Sequence, residues 1–175
     1  MSDVLTGTIT SVAEFLVHAL ELELESAERY RELADTMEVH NNPDVATLFR
    51  KLAVYGDTHA REVKQRAAGI ELPTIPPWEF KWTCPEGPES GCIEDTHYLM
   101  NRCQALELAL HNEDRGKEFY AAVAASSPDA DVRRLAAEMA DEEAEHVHML
   151  QEWIAREACR ATPTLEDLDP PNVTE

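Results

Sequence analysis

The sequence predicts an all-α fold, and three observations support this prediction. Apolar residues recur about every 3.6 residues through about half of the 175-residue chain, which indicates amphipathic helices. No stretch alternates apolar and polar residues over the length of a strand. The six glycines and ten prolines are clustered, so long segments are free of helix breakers. We predict one domain at residues 1–160, large enough for a real core, and an acidic C-terminal tail at residues 161–175.

The first two helices are predicted from their caps. Ser11 begins a capping box, which predicts a helix from there to about Val39. Asn42 followed by Pro43 is typical of a cap and the first turn of a second helix. We expect this second helix to run to about Ala68.

Residues 69–93 form a long connection in which we expect no regular element. Half of the prolines and half of the glycines fall here. A loop of this length in a small domain usually has a role, and the simplest is to cross from one end of a bundle to the other. Trp78, Phe80 and Trp82 are expected to pin the loop onto the helices.

Two further helices follow this crossover. The third is predicted to begin near Glu94 or Thr96 and to end at Ser126. The fourth is predicted from Pro128, a proline in a first turn, to about Cys159. The chain is therefore predicted to hold two helical hairpins.

Composition and charge limit the partners and the compartment. With a formal net charge of -20, we expect neither nucleic acid nor a membrane as a partner, because both require basic surface. No apolar run is long enough to span a membrane and no secretory signal is seen, so a cytoplasmic protein is predicted. Cys84 and Cys92 could pair with each other, but reduced thiols are the simpler expectation in that compartment.

The two hairpins repeat one another. The matching residues of the first and third helices are Ala19, Glu23 and Tyr30 with Ala109, Glu113 and Tyr120. The second and fourth helices match at several apolar positions and at His59 with His146. Each half therefore supplies an inward carboxylate, a tyrosine two turns further along the same face, and an inward histidine.

Glu143 and His146 lie three residues apart and share the apolar face of the fourth helix. Taken alone, this pair is best interpreted as a buried histidine satisfied by a neighbouring glutamate, because the spacing occurs by chance in acidic helices. The repeat adds Glu23 and Glu113 as buried carboxylates, and no Lys or Arg falls on these faces to neutralise them. A divalent metal is therefore the favoured hypothesis. Di-metal bundles take one Glu from each of two helices and Glu-x-x-His from each of the others, and five of those six ligands are present.

Tyr30 and Tyr120 have two open interpretations. Their hydroxyls could donate to the metal-binding carboxylates, or they could be packed core residues whose hydroxyls bond elsewhere. The histidines outside the shared face, among them His18, are interpreted as surface residues.

These motifs resemble the rubrerythrin-like branch of the ferritin superfamily over roughly residues 12–152. The resemblance implies a ferritin-like four-helix bundle made of two helical hairpins joined by a long crossover. It also implies a non-haem di-iron site and redox chemistry with dioxygen or peroxide. The residues that match the family's ligands are Glu23, His59, Glu113, Glu143 and His146.

The chain departs from the family pattern at two glycines. Gly56 stands where the Glu of the second Glu-x-x-His is expected, and Gly116 where rubrerythrins carry a further Glu. Both lie on the metal-facing stripe, so we expect a pocket there for water, an anion or a small oxidant. Only three carboxylates then face two ferrous ions. The sequence therefore predicts fewer than two tightly held irons, or a pair completed by water or an anion.

The predicted function is an iron-binding oxidoreductase of the rubrerythrin type, reacting with peroxide or dioxygen in a peroxidase-like or ferroxidase-like manner. It would hold one or two iron ions, with zinc as a substitute. The alternative is a non-catalytic scaffold or binding protein that holds zinc or a single iron. Because no rubredoxin domain is recognised, the partners expected are a small-molecule oxidant and a separate electron donor. A homodimer is expected from the apolar surface of the crossover.

Overall fold

Four α-helices make up most of the computed structural model, which describes residues 5–83, 87–89 and 100–157. They are α1 (Val12–Val39), α2 (Pro43–Arg66), α3 (Arg102–Ser126) and α4 (Ala130–Arg156), with a short 3-10 helix at Pro77–Glu79. Helix α1 packs along α2, and α3 along α4. The all-α prediction of two helical hairpins joined by a long crossover is confirmed. None of the described helices combines the length and the apolar character that crossing a membrane requires.

The helix starts follow from side chains that satisfy free backbone N–H groups. Helix α1 begins where predicted, and the Ser11 hydroxyl accepts the N–H of Glu14 at 3.2 Å. Helix α4 begins at Ala130 and not at Pro128, because the Asp129 carboxylate accepts two N–H groups of the first turn at 2.8 and 3.1 Å. Helix α3 begins after a capping box at Asn101 that the repeat did not predict.

The third helix begins at Arg102, so the predicted start near Glu94 or Thr96 is wrong. Two predictions lie outside the described residues: the pairing of Cys84 with Cys92, and the tail at residues 161–175. Cys103 is disulfide-bonded, so the expectation of reduced thiols, made for Cys84 and Cys92, does not extend to it. Disulfides are rare in cytosolic proteins. This bond therefore weighs against the cytoplasmic compartment, which stays a prediction.

Two aromatic residues hold the crossover against the bundle. Phe80 and Trp82 stack with ring centroids 4.5 Å apart, and both pack against the core. Trp78 is 83% exposed and does not pin the crossover, contrary to the prediction. The exposed apolar surface expected for a homodimer is thus reduced, since Trp82 is buried.

A buried histidine anchors the same segment. The Nδ1 atom of His18 donates to the carbonyl oxygen of Glu14 at 2.9 Å, and its Nε2 atom accepts the backbone N–H of Lys81 at 3.1 Å. Its ring meets those of Phe80 and Trp82 edge to face. Burial lowers the pKa of His18, so its ring is a neutral imidazole that can accept this bond. The interpretation of His18 as a surface residue is therefore wrong.

The core consists of two apolar clusters, with a polar layer between them. Along α1, one cluster ends at Leu22 and the other begins at Tyr30, with Glu23 and Ser26 buried between them. Helix α4 has the same arrangement, with Glu143 buried between the two clusters. This buried polar layer contains the candidate site.

Candidate metal centre

The structure brings the five predicted ligands together in the polar layer. They are Glu23 from α1, His59 from α2, Glu113 from α3, and Glu143 and His146 from α4. The three carboxylates are buried, and the two imidazoles lie at the edge of the layer with about a fifth of each side chain exposed. The helical spacing found in the sequence thus corresponds to one compact group of side chains.

Histidines are the side-chain partners nearest to these carboxylates. The Nδ1 atom of His59 lies 3.3 Å from Glu23 Oε2. The Nδ1 atom of His146 lies 3.0 Å from Glu143 Oε2 and 3.4 Å from Glu113 Oε2. The two rings stack with centroids 4.5 Å apart. Within the described part of the chain, the ion pairs of these carboxylates are all with histidine.

Burial and neighbouring charges keep protons on this cluster. It raises the pKa of the Glu23 carboxyl, and it raises that of Glu143 well above the usual range. Burial alone would lower the pKa of His146, but the carboxylates of Glu113 and Glu143 overcome it and raise the pKa to about 10. A metal ion that binds here must displace these protons.

A fourth carboxylate, which the helical repeat does not predict, completes the cluster. Glu89 belongs to the crossover, yet it is only 3% exposed. Burial and the charges of Glu143, Glu23 and Glu113 raise its pKa well above the usual range. The count of three carboxylates from the sequence is therefore wrong, because four meet in this layer.

The ligand atoms form two overlapping groups. Those of His59, Glu143 and His146 lie within 4.8 Å of one another, and so do those of Glu23, Glu89 and Glu143. Glu143 belongs to both groups. Carboxylate and imidazole donors in this arrangement suit iron or zinc, and a shared carboxylate is the feature expected of a bridging ligand.

The two tyrosines link the hairpins to one another. The hydroxyl of Tyr30 donates to Glu113, and that of Tyr120 donates to Glu23, each at 3.3 Å. Each tyrosine therefore bonds the carboxylate of the other hairpin. Burial raises the pKa of both hydroxyls well above the usual value, so they remain protonated donors. Such bonds fix the orientation of the carboxylates.

The two glycines have different surroundings. A Cβ atom on Gly56 would lie 3.1 Å from the Cβ of Ala27 and 3.2 Å from the carbonyl oxygen of Glu23, so glycine lets α1 and α2 approach closely. Gly56 also lines a cavity of about 10 Å³, which is about the space that one water molecule needs. The space beside Gly116 is not open, because the carboxylate of Glu89 fills it.

Aromatic side chains cover the exposed edge of the centre. The ring of Tyr55 stacks on His146 with centroids 6.4 Å apart. The ammonium group of Lys51 lies over the rings of Tyr55 and Trp153, at 5.9 and 4.2 Å from their centroids. The cavity beside Gly56 is lined by Tyr55 as well.

Comparison with known proteins gives two matches. Residues 14–76, most of the first hairpin and the start of the crossover, match the family model described as rubrerythrin. The chain is also similar to an uncharacterized conserved protein from Magnetospirillum magnetotacticum MS-1, whose crystal structure was determined at 2.00 Å resolution. The two are 50% identical, with a TM-score of 0.65, and the match covers 83% of this chain and 95% of that one. No curated protein matches the chain.

Proposed function

This chain belongs to the rubrerythrin family, and we propose that it is a non-haem iron-binding oxidoreductase that reacts with peroxide or dioxygen. One observation carries the proposal: four buried carboxylates and two histidines converge in one layer of the bundle. Buried carboxylates are costly unless protons or cations neutralise them. Two divalent ions would balance four carboxylates, and the donor atoms are those that iron accepts.

The helix ligands would divide between two ions that share one carboxylate. Glu23, His59 and Glu143 would hold one ion, and Glu113, Glu143 and His146 the other. Glu143 would serve both ions, since its ligand atom lies near those of His59 and His146 and also near those of Glu23 and Glu89. Bound iron would supply the electrons that reduce the oxidant.

The surrounding residues position these ligands and restrict access. The hydroxyls of Tyr30 and Tyr120 hold the carboxylates of Glu113 and Glu23 in place. The apolar clusters on both sides exclude bulk water, which strengthens electrostatic interactions in the layer. The cavity of about 10 Å³ beside Gly56 favours an oxidant of a few atoms, such as dioxygen or peroxide.

The partners follow from the same arrangement. In this proposal the electron donor is a separate molecule. The protein is a homodimer in this proposal, and Trp78 is the exposed aromatic residue available to the contact. Zinc is the ion that would occupy the same ligands without redox chemistry.

Spectroscopy of the iron-loaded protein tests the proposed function. We expect ferric absorption in the near ultraviolet that bleaches on anaerobic reduction and returns when peroxide or dioxygen is added. The expected rate of return exceeds that of free ferrous iron in the same buffer. Protein loaded with zinc is the matched control, because it keeps the ligands but has no accessible redox change.

Two results would count against an oxidoreductase. Purification from iron-replete cells as a colourless zinc protein would favour a non-catalytic scaffold that holds metal for stability. If bound iron returned to the ferric state no faster than free iron, the proposed catalysis would be contradicted. The proposed metal centre would still stand.

A further inference from the structure

Glu89 reaches the centre from a loop, unlike every ligand predicted from the repeat. It lies in the crossover between α2 and α3, and its side chain is buried over Gly116. A Cβ atom on Gly116 would lie 2.8 Å from Glu89 Cδ and 2.9 Å from its Cγ. Real Cβ atoms essentially never approach so closely, so a larger residue at 116 would displace the Glu89 carboxylate from this position.

The loop is fastened to α1 immediately before this residue. The backbone N–H of Gly87 donates to Glu25 Oε2 at 2.6 Å. Pro88 follows, and its ring restricts the backbone between the anchor and Glu89. The segment therefore presents the Glu89 side chain in a defined direction.

The contacts of the carboxylate point to a cation. Its ligand atom lies within 4.8 Å of those of Glu23 and Glu143. The Ser26 hydroxyl donates to it. Its Oε1 atom is fully buried and has no hydrogen-bond partner among the described residues. A buried oxygen without a donor, beside two other carboxylates, is costly unless a cation satisfies it.

The small residues around Glu89 occupy equivalent positions in the two hairpins. In the repeat, Ser26 stands three residues after Glu23 as Gly116 stands three residues after Glu113. One loop carboxylate therefore lies between the two halves of the bundle. Glu89 thereby supplies a fourth carboxylate, in place of the glutamate that is missing at Gly56.

We propose that Glu89 is a metal ligand supplied by the crossover, and that metal binding thereby fastens the crossover to the helices. This inference rests on the proposed metal centre and adds a ligand to it. It also explains Gly116, which keeps helix α3 free of the side chain that would displace Glu89.

Anaerobic titration with ferrous iron tests the ligand role. We expect two ions per chain in the wild type. Glu89→Gln keeps the side-chain volume. It should lower the affinity for the second ion by at least roughly the 10–100-fold seen for groups that only orient ligands. Gly116→Ala should weaken it similarly, because the added methyl group displaces Glu89. Glu79→Gln, an exposed position of the same crossover, is the control and should match the wild type.

A double variant that combines Gly116→Ala with Glu89→Ala distinguishes two explanations for a loss of iron binding in Gly116→Ala. One is displacement of Glu89, and the other is damage to helix α3. If Gly116→Ala acts through Glu89, adding it to Glu89→Ala should weaken iron binding less than twofold further. Hydrogen exchange gives a readout independent of stoichiometry. Ferrous iron should slow exchange of the Gly87 amide in the wild type, and not in Glu89→Gln.

The outcomes distinguish this inference from the proposed function. Iron binding by Glu89→Gln with wild-type stoichiometry and affinity would overturn the role of Glu89 and leave the metal centre standing. Absence of iron binding by the wild type would overturn both. Equal slowing of Gly87 exchange in the wild type and Glu89→Gln would overturn the fastening of the crossover through this side chain.

Discussion

His146→Ala is expected to lose most of the metal that the wild-type protein binds. Its imidazole contacts two of the buried carboxylates, Glu143 at 3.0 Å and Glu113 at 3.4 Å. Removing it deletes one nitrogen ligand and leaves both carboxylates without their cationic partner. Metal analysis of the purified variant, expressed in iron-replete medium, should therefore return well under half of the wild-type content.

His148→Ala is the matched control for this variant. His148 lies on the same helix, but its side chain is 74% exposed and pairs with Glu152 on the surface. Its removal should leave the metal content unchanged. An unaltered metal content in His146→Ala would exclude this cluster as the binding site, whatever metal the protein carries.

Chelation is expected to lower the melting temperature of the metal-loaded protein by roughly 8–16 °C. Metal that binds only the folded chain stabilises it by RT ln(1 + [L]/Kd), about 4 kcal/mol when free metal is 1,000 times Kd. For a domain of this size, 1 kcal/mol corresponds to roughly 2–4 °C. Calorimetry with and without chelator measures the change.

The size of this shift should depend on pH. Metal must displace protons from Glu143, whose pKa burial raises, and from His146, whose pKa is about 10. Binding therefore releases protons, and the stabilisation should be larger at pH 8 than at pH 6. In His146→Ala, added metal should change the melting temperature little. Superimposable melting curves for the wild type with and without chelator would show that metal does not stabilise this core.

The hairpins and the convergence of the five candidate ligand residues on the helices were predictable, because both depend on local spacing. Residues three or four apart share a helix face whatever the tertiary structure. This relation predicts that Glu143 and His146 share one face of the fourth helix. The repeat then predicts that Glu23 and Glu113 point inward from the first and third helices. The caps were less predictable. Pro128 predicted the start of the fourth helix, but Asp129 is its N-cap and the helix begins at Ala130.

Glu89 was not predictable from periodicity, because it belongs to a loop and reaches the centre only through tertiary packing. The signal available in the sequence was Gly116. A glycine inside a helix costs about 0.5–1 kcal/mol relative to alanine, so its presence indicates that a neighbour needs the space. The sequence does not say which neighbour, and the open pocket expected there is filled by Glu89.

Contacts between elements account for the remaining differences. Tyr30 and Tyr120 share faces with Glu23 and Glu113 in the sequence, but the crossing of the hairpins decides that each bonds the other carboxylate. His18 lies off the metal-facing stripe, and its burial depends on a crossover whose path helical spacing does not determine.

Anomalous diffraction from crystals of the iron-loaded wild type tests the central claim most directly. Data collected on both sides of the iron absorption edge locate the ions without assuming their ligands. The account predicts two iron peaks per chain in the polar layer, with Glu143 between them and Glu89 in contact with one. An interior without iron peaks, with iron bound only to the acidic surface, would contradict it.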